Sequence, residues 1–170
     1  MEHHHDTAAH KMVEAESSGI EYVKFGGIIL AITAVSWLVN DGGLSEYLGW
    51  FMGVFFVVFA GFKLLGYQMF ALMFSGYDIV AERFRIYAYA YPFIELALGL
   101  VYLFDVLPGI REVITIIIMG LGSIGVIREI RKRSGVHCAC LGNIIKLPLS
   151  TVSLVEDVGM GLMAVAMLLI

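Results

Sequence analysis

Residues 48–74 read LGWFMGVFFVVFAGFKLLGYQMFALMF, and Lys63 is the single charged side chain in the run. At about 1.5 Å per residue, a helix of this length crosses a hydrocarbon core of roughly 30 Å with room for tilt. The pattern argues against a barrel, because the apolar residues are continuous and do not alternate over roughly ten-residue strands. A helix also satisfies its own backbone hydrogen bonds in lipid. The stretch therefore reads as a membrane-spanning helix that carries an ammonium group inside it.

Similar runs lie on either side of it. One covers 20–39, with Tyr22, Lys24 and Trp37 near its ends, where amphipathic side chains prefer to lie. Others cover 86–104, 113–127 and 149–170. Turn chemistry separates them: Asn40-Asp41-Gly42-Gly43, the polar SGYDIVAERFR over 75–85, and Pro108-Gly109, while Pro148 precedes the last run. The fourth run is short, so its ends are expected to draw on Ile110 and on snorkelling by Arg111 and Arg128. Across the chain 59% of residues are hydrophobic and 15% charged, and the mean hydropathy is +0.86. The fold class that follows is all-α, an integral membrane helical bundle of four to five transmembrane helices over 20–170, in contact with the lipid bilayer. A polar tail over 1–19 precedes it. That tail is acidic and lacks the basic-then-apolar order of a secretory signal, so the first run is expected to remain in the mature protein. Its His3, His4, His5 and His10 could share a cation, at the entropic cost of ordering a polar tail.

Basic residues orient the bundle. Arg83 and Arg85 lie between the second and third runs, and Arg128, Arg131, Lys132 and Arg133 lie between the fourth and fifth. The remaining connections hold Arg111 alone, so the even-numbered connections are expected in the cytoplasm. Five spans then make this a multi-pass cell-membrane protein with a cytoplasmic N-terminus and an external C-terminus. Nothing basic enough for nucleic acid is present, and neither a nucleotide motif nor a hydrolytic triad appears. An independent hydrolase or ATP-driven pump is not expected, and the residues assign no reaction.

The two cysteines stand together in HCACLGNIIKLPLS, residues 137–150, just after the cytoplasmic basic cluster. In a reducing compartment a cysteine pair is more often a metal ligand or a transient redox couple than a permanent bridge. A Cys-x-Cys bridge closes a cramped ring, whereas two thiolates can still hold one soft cation. Cys138 and Cys140, with His137 as a third donor, are the candidate metal ligands, suited to Cu(I), zinc or another soft metal ion. The same cysteines are the candidate exchanging thiols if the chemistry is redox, and the neighbouring basic residues favour their thiolate form.

A second constellation lies inside the spans. By helical rise, Lys63 falls roughly 16 Å from the cytoplasmic end of its span, Glu95 roughly 13 Å into the third, and Glu156 and Asp157 roughly 12 Å into the fifth. Charges in hydrocarbon are costly unless they face one another or water, so Lys63 is expected to pair with Glu95 or Glu156. The cluster either locks the bundle or lines a polar pocket able to pass protons or a cation. Met160, Met163 and Met167 recur on one face of the last run, where core filling is the commoner role. Gly120, Gly122, Gly125, Gly159 and Gly161 are expected to let helices approach closely.

These residues resemble a known family. FKLL around Lys63, YPFIELALGL around Glu95, and HCACLG ahead of a last helix look like the MauE/DoxX group of redox-associated membrane proteins. The resemblance runs from the second span onward and implies a four-to-five-helix bundle with a role in thiol redox or in maturation of partner proteins. CACLG followed by LPLSTVSLVED is similar to a branch that carries a soluble heavy-metal-associated domain ahead of the bundle, which implies copper or other heavy-metal handling. Here a His-bearing tail stands in place of that domain, so a separate soluble metal carrier is implied. The family commonly has Cys-Gly-Cys-Phe-Gly, where this chain has Ala139 and Leu141. Two main readings stay open: capture of a soft, copper-like ion at the cytoplasmic mouth above the charged cluster, and thiol exchange with a redox partner. A non-catalytic membrane subunit is the third.

Overall fold

The computed structural model describes residues 19–132 and 149–170, with side-chain environments for 23–131 and 153–170. These residues form seven helices and no strand: α1 Gly19–Val39, α2 Leu44–Leu65, α3 Tyr67–Phe74, α4 Ile79–Arg83, α5 Arg85–Leu103, α6 Ile110–Lys132 and α7 Leu149–Leu169. Among the described residues, three stretches are long and apolar enough to cross a membrane, Leu44–Leu65, Arg85–Leu103 and Ile110–Arg131, and Val23–Val39 is a shorter apolar helix. The tail histidines His3, His4, His5 and His10, and the segment bearing His137, Cys138 and Cys140, lie outside the described residues.

The run over 48–74 is not one helix. It breaks at Gly66, where φ −112° and ψ 33° leave the helical region, and α3 restarts at Tyr67. Glycine is the weakest helix former apart from proline, so a break costs least there. What the break gains is aromatic packing: Phe74 meets Tyr91 at 4.4 Å between ring centroids, and Phe70 stacks on Phe74 at 5.1 Å. It also leaves Lys63 in the last turn of α2, where a cation suits the helix dipole. A straight helix through 74 would carry Phe70 and Phe74 past Tyr91.

The connection to α5 is built on Asp78, whose Oδ1 accepts from the backbone N–H groups of Val80 at 2.9 Å and Ala81 at 2.8 Å and so caps α4. Helix α5 continues through Pro92, as spanning helices tolerate when neighbouring groups compensate. Beyond it the chain turns through Asp105 and Leu107 at φ 49° and 53°, and through Gly109 at φ 87°. Helix α6 begins earlier and ends later than the apolar run over 113–127, because Glu112 reaches back to accept from the Gly109 N–H and holds the first turn. Arg111 does not snorkel. Its guanidinium is 5% exposed, lies 4.9 Å from the Tyr102 ring centroid, and pairs with Asp105 and Glu112 at 2.6 Å each. Arg128 stays at the surface, 3.0 Å from Glu82.

Two helix pairs carry the packing, α6 against α7 and α2 against α5. In the second pair the backbones meet. A Cβ on Gly99 would lie 3.0 Å from the Val57 nitrogen and 3.1 Å from the Gly53 oxygen, and one on Gly53 would lie 2.7 Å from Leu103 carbons. The core between the helices is aromatic, with Phe55 stacked on Phe59 at 4.1 Å and Phe56 beside Tyr102 at 6.0 Å.

Candidate functional site

Inside this aromatic core three charged side chains from three helices converge. The Lys63 ammonium on α2 donates to both carboxylate oxygens of Glu95 on α5, at 2.6 and 2.7 Å, and to Oε1 of Glu156 on α7, at 2.6 Å. All three residues are 1% exposed. Sequence reasoning offered Glu95 or Glu156 as the partner, and Lys63 takes both. Its three N–H donors are thereby used in full, and each bond is charge-assisted. The rings of Tyr91 and Phe70 flank the ammonium at 5.3 and 5.9 Å to their centroids, adding cation–π attraction in a desolvated setting.

Local sequence explains the convergence. Tyr91 and Glu95 are four residues apart on α5 and so share a face, and Gly99, another turn along, brings α5 against α2. Ser153 and Glu156 are three apart on α7 and share its inner face, both buried. Asp157, 7% exposed, is turned toward α6, where a Cβ on Gly122 would lie 2.8 Å from its Oδ2. Gly122 makes room for that carboxylate. Gly125 has the same function against the connection, since its Cβ would lie 2.8 Å from the Tyr77 carbonyl oxygen. Gly161 faces the Met119 Cβ at 3.9 Å, but Gly120 and Gly159 have nothing within 4 Å and serve no close approach among the described residues. Met160 lies in the core, and Met163 and Met167 pack against it.

Beside the triad is a cavity of about 10 Å³, lined by Lys63, Tyr77, Tyr91, Ser153, Glu156 and Asp157 among others. That is room for about one water molecule. Glu156 Oε2 is buried and accepts from no donor among the described residues, so the triad is satisfied on the Glu95 side and unsaturated on this one. Sequence reasoning did not single out Tyr77, Tyr91 or Ser153. The helical spacing of Tyr91 to Glu95 and of Ser153 to Glu156 was the available signal. Outside the spans, burial pushes the Asp78 carboxyl above its ordinary range, against the opposing pull of the Ala81 and Val80 hydrogen bonds.

At the far end of the bundle a larger cavity of about 650 Å³ lies among Glu46, Trp50, Tyr102, Asp105 and Arg111. Asp105 and Glu112 already balance Arg111 there. Among the described residues no group of three or more His, Cys, Asp or Glu side chains is placed to hold a metal ion. Oxygen donors and an ammonium make a hard, hydrogen-bonded centre, unlike the sulfur set that soft ions prefer.

Compared with known proteins, the chain matches the family described as methylamine utilisation protein MauE over residues 41–170. No curated protein and no solved structure matches it.

Proposed function

This chain belongs to the MauE family of membrane proteins, and from that premise we propose that it is a thiol-exchange component of the cell membrane, an accessory that services the disulfides of a partner protein. The observation that carries the reading is the Lys63 cluster. One buried ammonium ties α2, α5 and α7 together, and α7 is packed along α6. The segment with Cys138 and Cys140 joins those last two helices in the chain, so its two ends are anchored to a bundle locked from inside. An anchored platform suits a dithiol that must meet a macromolecular disulfide.

The step is an exchange that conserves electrons. The thiolate of Cys138 or Cys140 attacks one sulfur of the partner's disulfide, the partner's other sulfur leaves as thiolate, and the second cysteine resolves the mixed disulfide. The partner gains two thiols as Cys138 and Cys140 become oxidised. A bridge across one intervening residue is cramped and readily passed on. In this reading the bundle has five spans, the N-terminus and the Cys138–Cys140 segment face the cytoplasm, and the C-terminus lies outside. The family's description suggests methylamine utilisation as the process served.

His137 beside the two cysteines favours a second reading, capture of a soft copper-like ion delivered by a soluble carrier, as in the heavy-metal-associated branch. Trapping separates them. With the purified full chain, Cys140→Ser or Cys138→Ser should accumulate a mixed disulfide with a model disulfide substrate, and the double variant should not. Stoichiometric Cu(I) or Zn(II) binding that disappears in the double variant, without any mixed disulfide, would replace thiol exchange with metal capture.

A further inference from the structure

The cavity beside the triad has a chemistry of its own, separate from the thiols. One ammonium faces two carboxyl groups, so the triad leaves one negative charge uncompensated when all three are ionised. In a low-dielectric interior an unbalanced carboxylate is costly. Both oxygens of Glu95 are held by Lys63, whereas Glu156 gives Lys63 only Oε1. Its Oε2 is the unpartnered atom of a residue that is 1% exposed, and Glu156 lines the cavity. Among the described residues that line the cavity Lys63 is the one cation, and Asp157 adds a further carboxyl.

We infer that the cavity at Glu156 is a binding site for one sodium-sized monovalent cation that completes the charge balance of the triad. The site is built for such a guest. Its volume of about 10 Å³ admits one water-sized particle, its polar lining offers oxygen rather than sulfur, and Glu156 Oε2 is the buried oxygen there that lacks a hydrogen-bond partner among the described residues. A divalent or soft ion is disfavoured by the adjacent ammonium and the lack of sulfur or nitrogen ligands. The groups facing the site are Lys63 from α2, Glu95 and Tyr91 from α5, Tyr77 from the connection, and Ser153 and Asp157 from α7. Binding at this point would couple ion occupancy to the joint between α7 and the α2–α5 pair.

The test is the reaction of the purified full chain with dicyclohexylcarbodiimide, an apolar reagent that adds to a protonated carboxyl in a low-dielectric site and leaves a stable acylurea. Mass spectrometry of the digested protein locates the adduct. The inference expects modification at Glu156 and not at Glu95, lost in Glu156→Gln. Replacing choline chloride by sodium chloride at constant pH and ionic strength should slow the reaction about tenfold at about ten times the dissociation constant. A rate that follows pH but not sodium reports protonation alone, which the reagent needs at any carboxyl, and overturns the site. Absence of an adduct at Glu156 at every pH overturns it as well. The wild-type titration alone decides this, even if Glu156→Gln fails to fold, and its outcome is independent of whether the cysteines exchange disulfides.

Discussion

Replacing Lys63 with methionine should damage this protein more than replacing either of its partners. Lys63 makes three short bonds, at 2.6, 2.7 and 2.6 Å, to two carboxylates that are otherwise sealed from solvent. Methionine fills much of the same volume, so the loss is electrostatic rather than a cavity. It leaves Glu95 and Glu156 buried without their cation, at a cost of about 3–5 kcal/mol. Glu95→Gln is milder, because Lys63 keeps Glu156 at 2.6 Å and the loss is that of charge-assisted hydrogen bonds, about 1.5–3 kcal/mol. The triple variant Lys63→Met, Glu95→Gln, Glu156→Gln removes every charge of the triad and should recover most of the stability lost in Lys63→Met, a non-additivity that only a shared network produces. Reversible unfolding in mixed detergent micelles, followed by tryptophan fluorescence, measures each step. Equal damage from Lys63→Met and Glu95→Gln, or a triple variant as unstable as Lys63→Met, would refute a buried, mutually dependent triad.

Three further outcomes are expected. Asp78→Ala should cost about 1 kcal/mol through loss of the α4 cap, whereas Asp78→Asn should keep the cap and change the pH dependence. Burial raises the Asp78 carboxyl above its ordinary range, so its contribution to stability is full below the unfolded-state value and is lost as pH rises through the folded-state value; unfolding titrations of Asp78→Asn should lack that decline. Gly125→Ala should destabilise the bundle by about 1–3 kcal/mol, since its Cβ would sit 2.8 Å from the Tyr77 carbonyl oxygen, while Gly120→Ala, with nothing within 4 Å, should be neutral in the same melting assay. A membrane-impermeant thiol reagent applied to intact cells should leave Cys138 and Cys140 unlabelled and label them after permeabilisation; labelling from outside would invert the orientation and put the thiols in an oxidising compartment.

What could be read in advance followed from cost. An ammonium in the apolar run over 48–74 is expensive enough that a carboxyl partner at similar depth had to exist, and Glu95, Glu156 and Asp157 were the residues at that depth. The interruption at Gly66 gave no such signal. The run is apolar on every side, so periodicity marks no end, and Gly49, Gly53 and Gly61 are formally as good a breaking point. Only the stacking of Phe70 and Phe74 toward Tyr91 selects Gly66. Arg111 shows the same limit. Its place beside a turn suggested an exposed, snorkelling side chain, and burial against Tyr102 between Asp105 and Glu112 depends on residues from another helix and a turn.

The choice between Glu156 and Asp157 was settled by neighbours rather than by depth. Adjacent residues on a helix point about 100° apart at 3.6 residues per turn, so one ammonium at one position cannot receive both side chains equally. Helix α6 takes the other. Gly122 leaves a gap for the Asp157 carboxylate, with Oδ2 2.8 Å from where a Cβ would be, while Glu156, one position earlier, reaches Lys63 at 2.6 Å. A glycine on a fourth helix, which carries no member of the triad, therefore makes room for the carboxyl that does not meet the ammonium. Among the five glycines expected at helix contacts, Gly122 is the one whose missing side chain bears on the chemistry, and nothing in its spacing from Gly120 and Gly125 distinguishes it before the helices are in place.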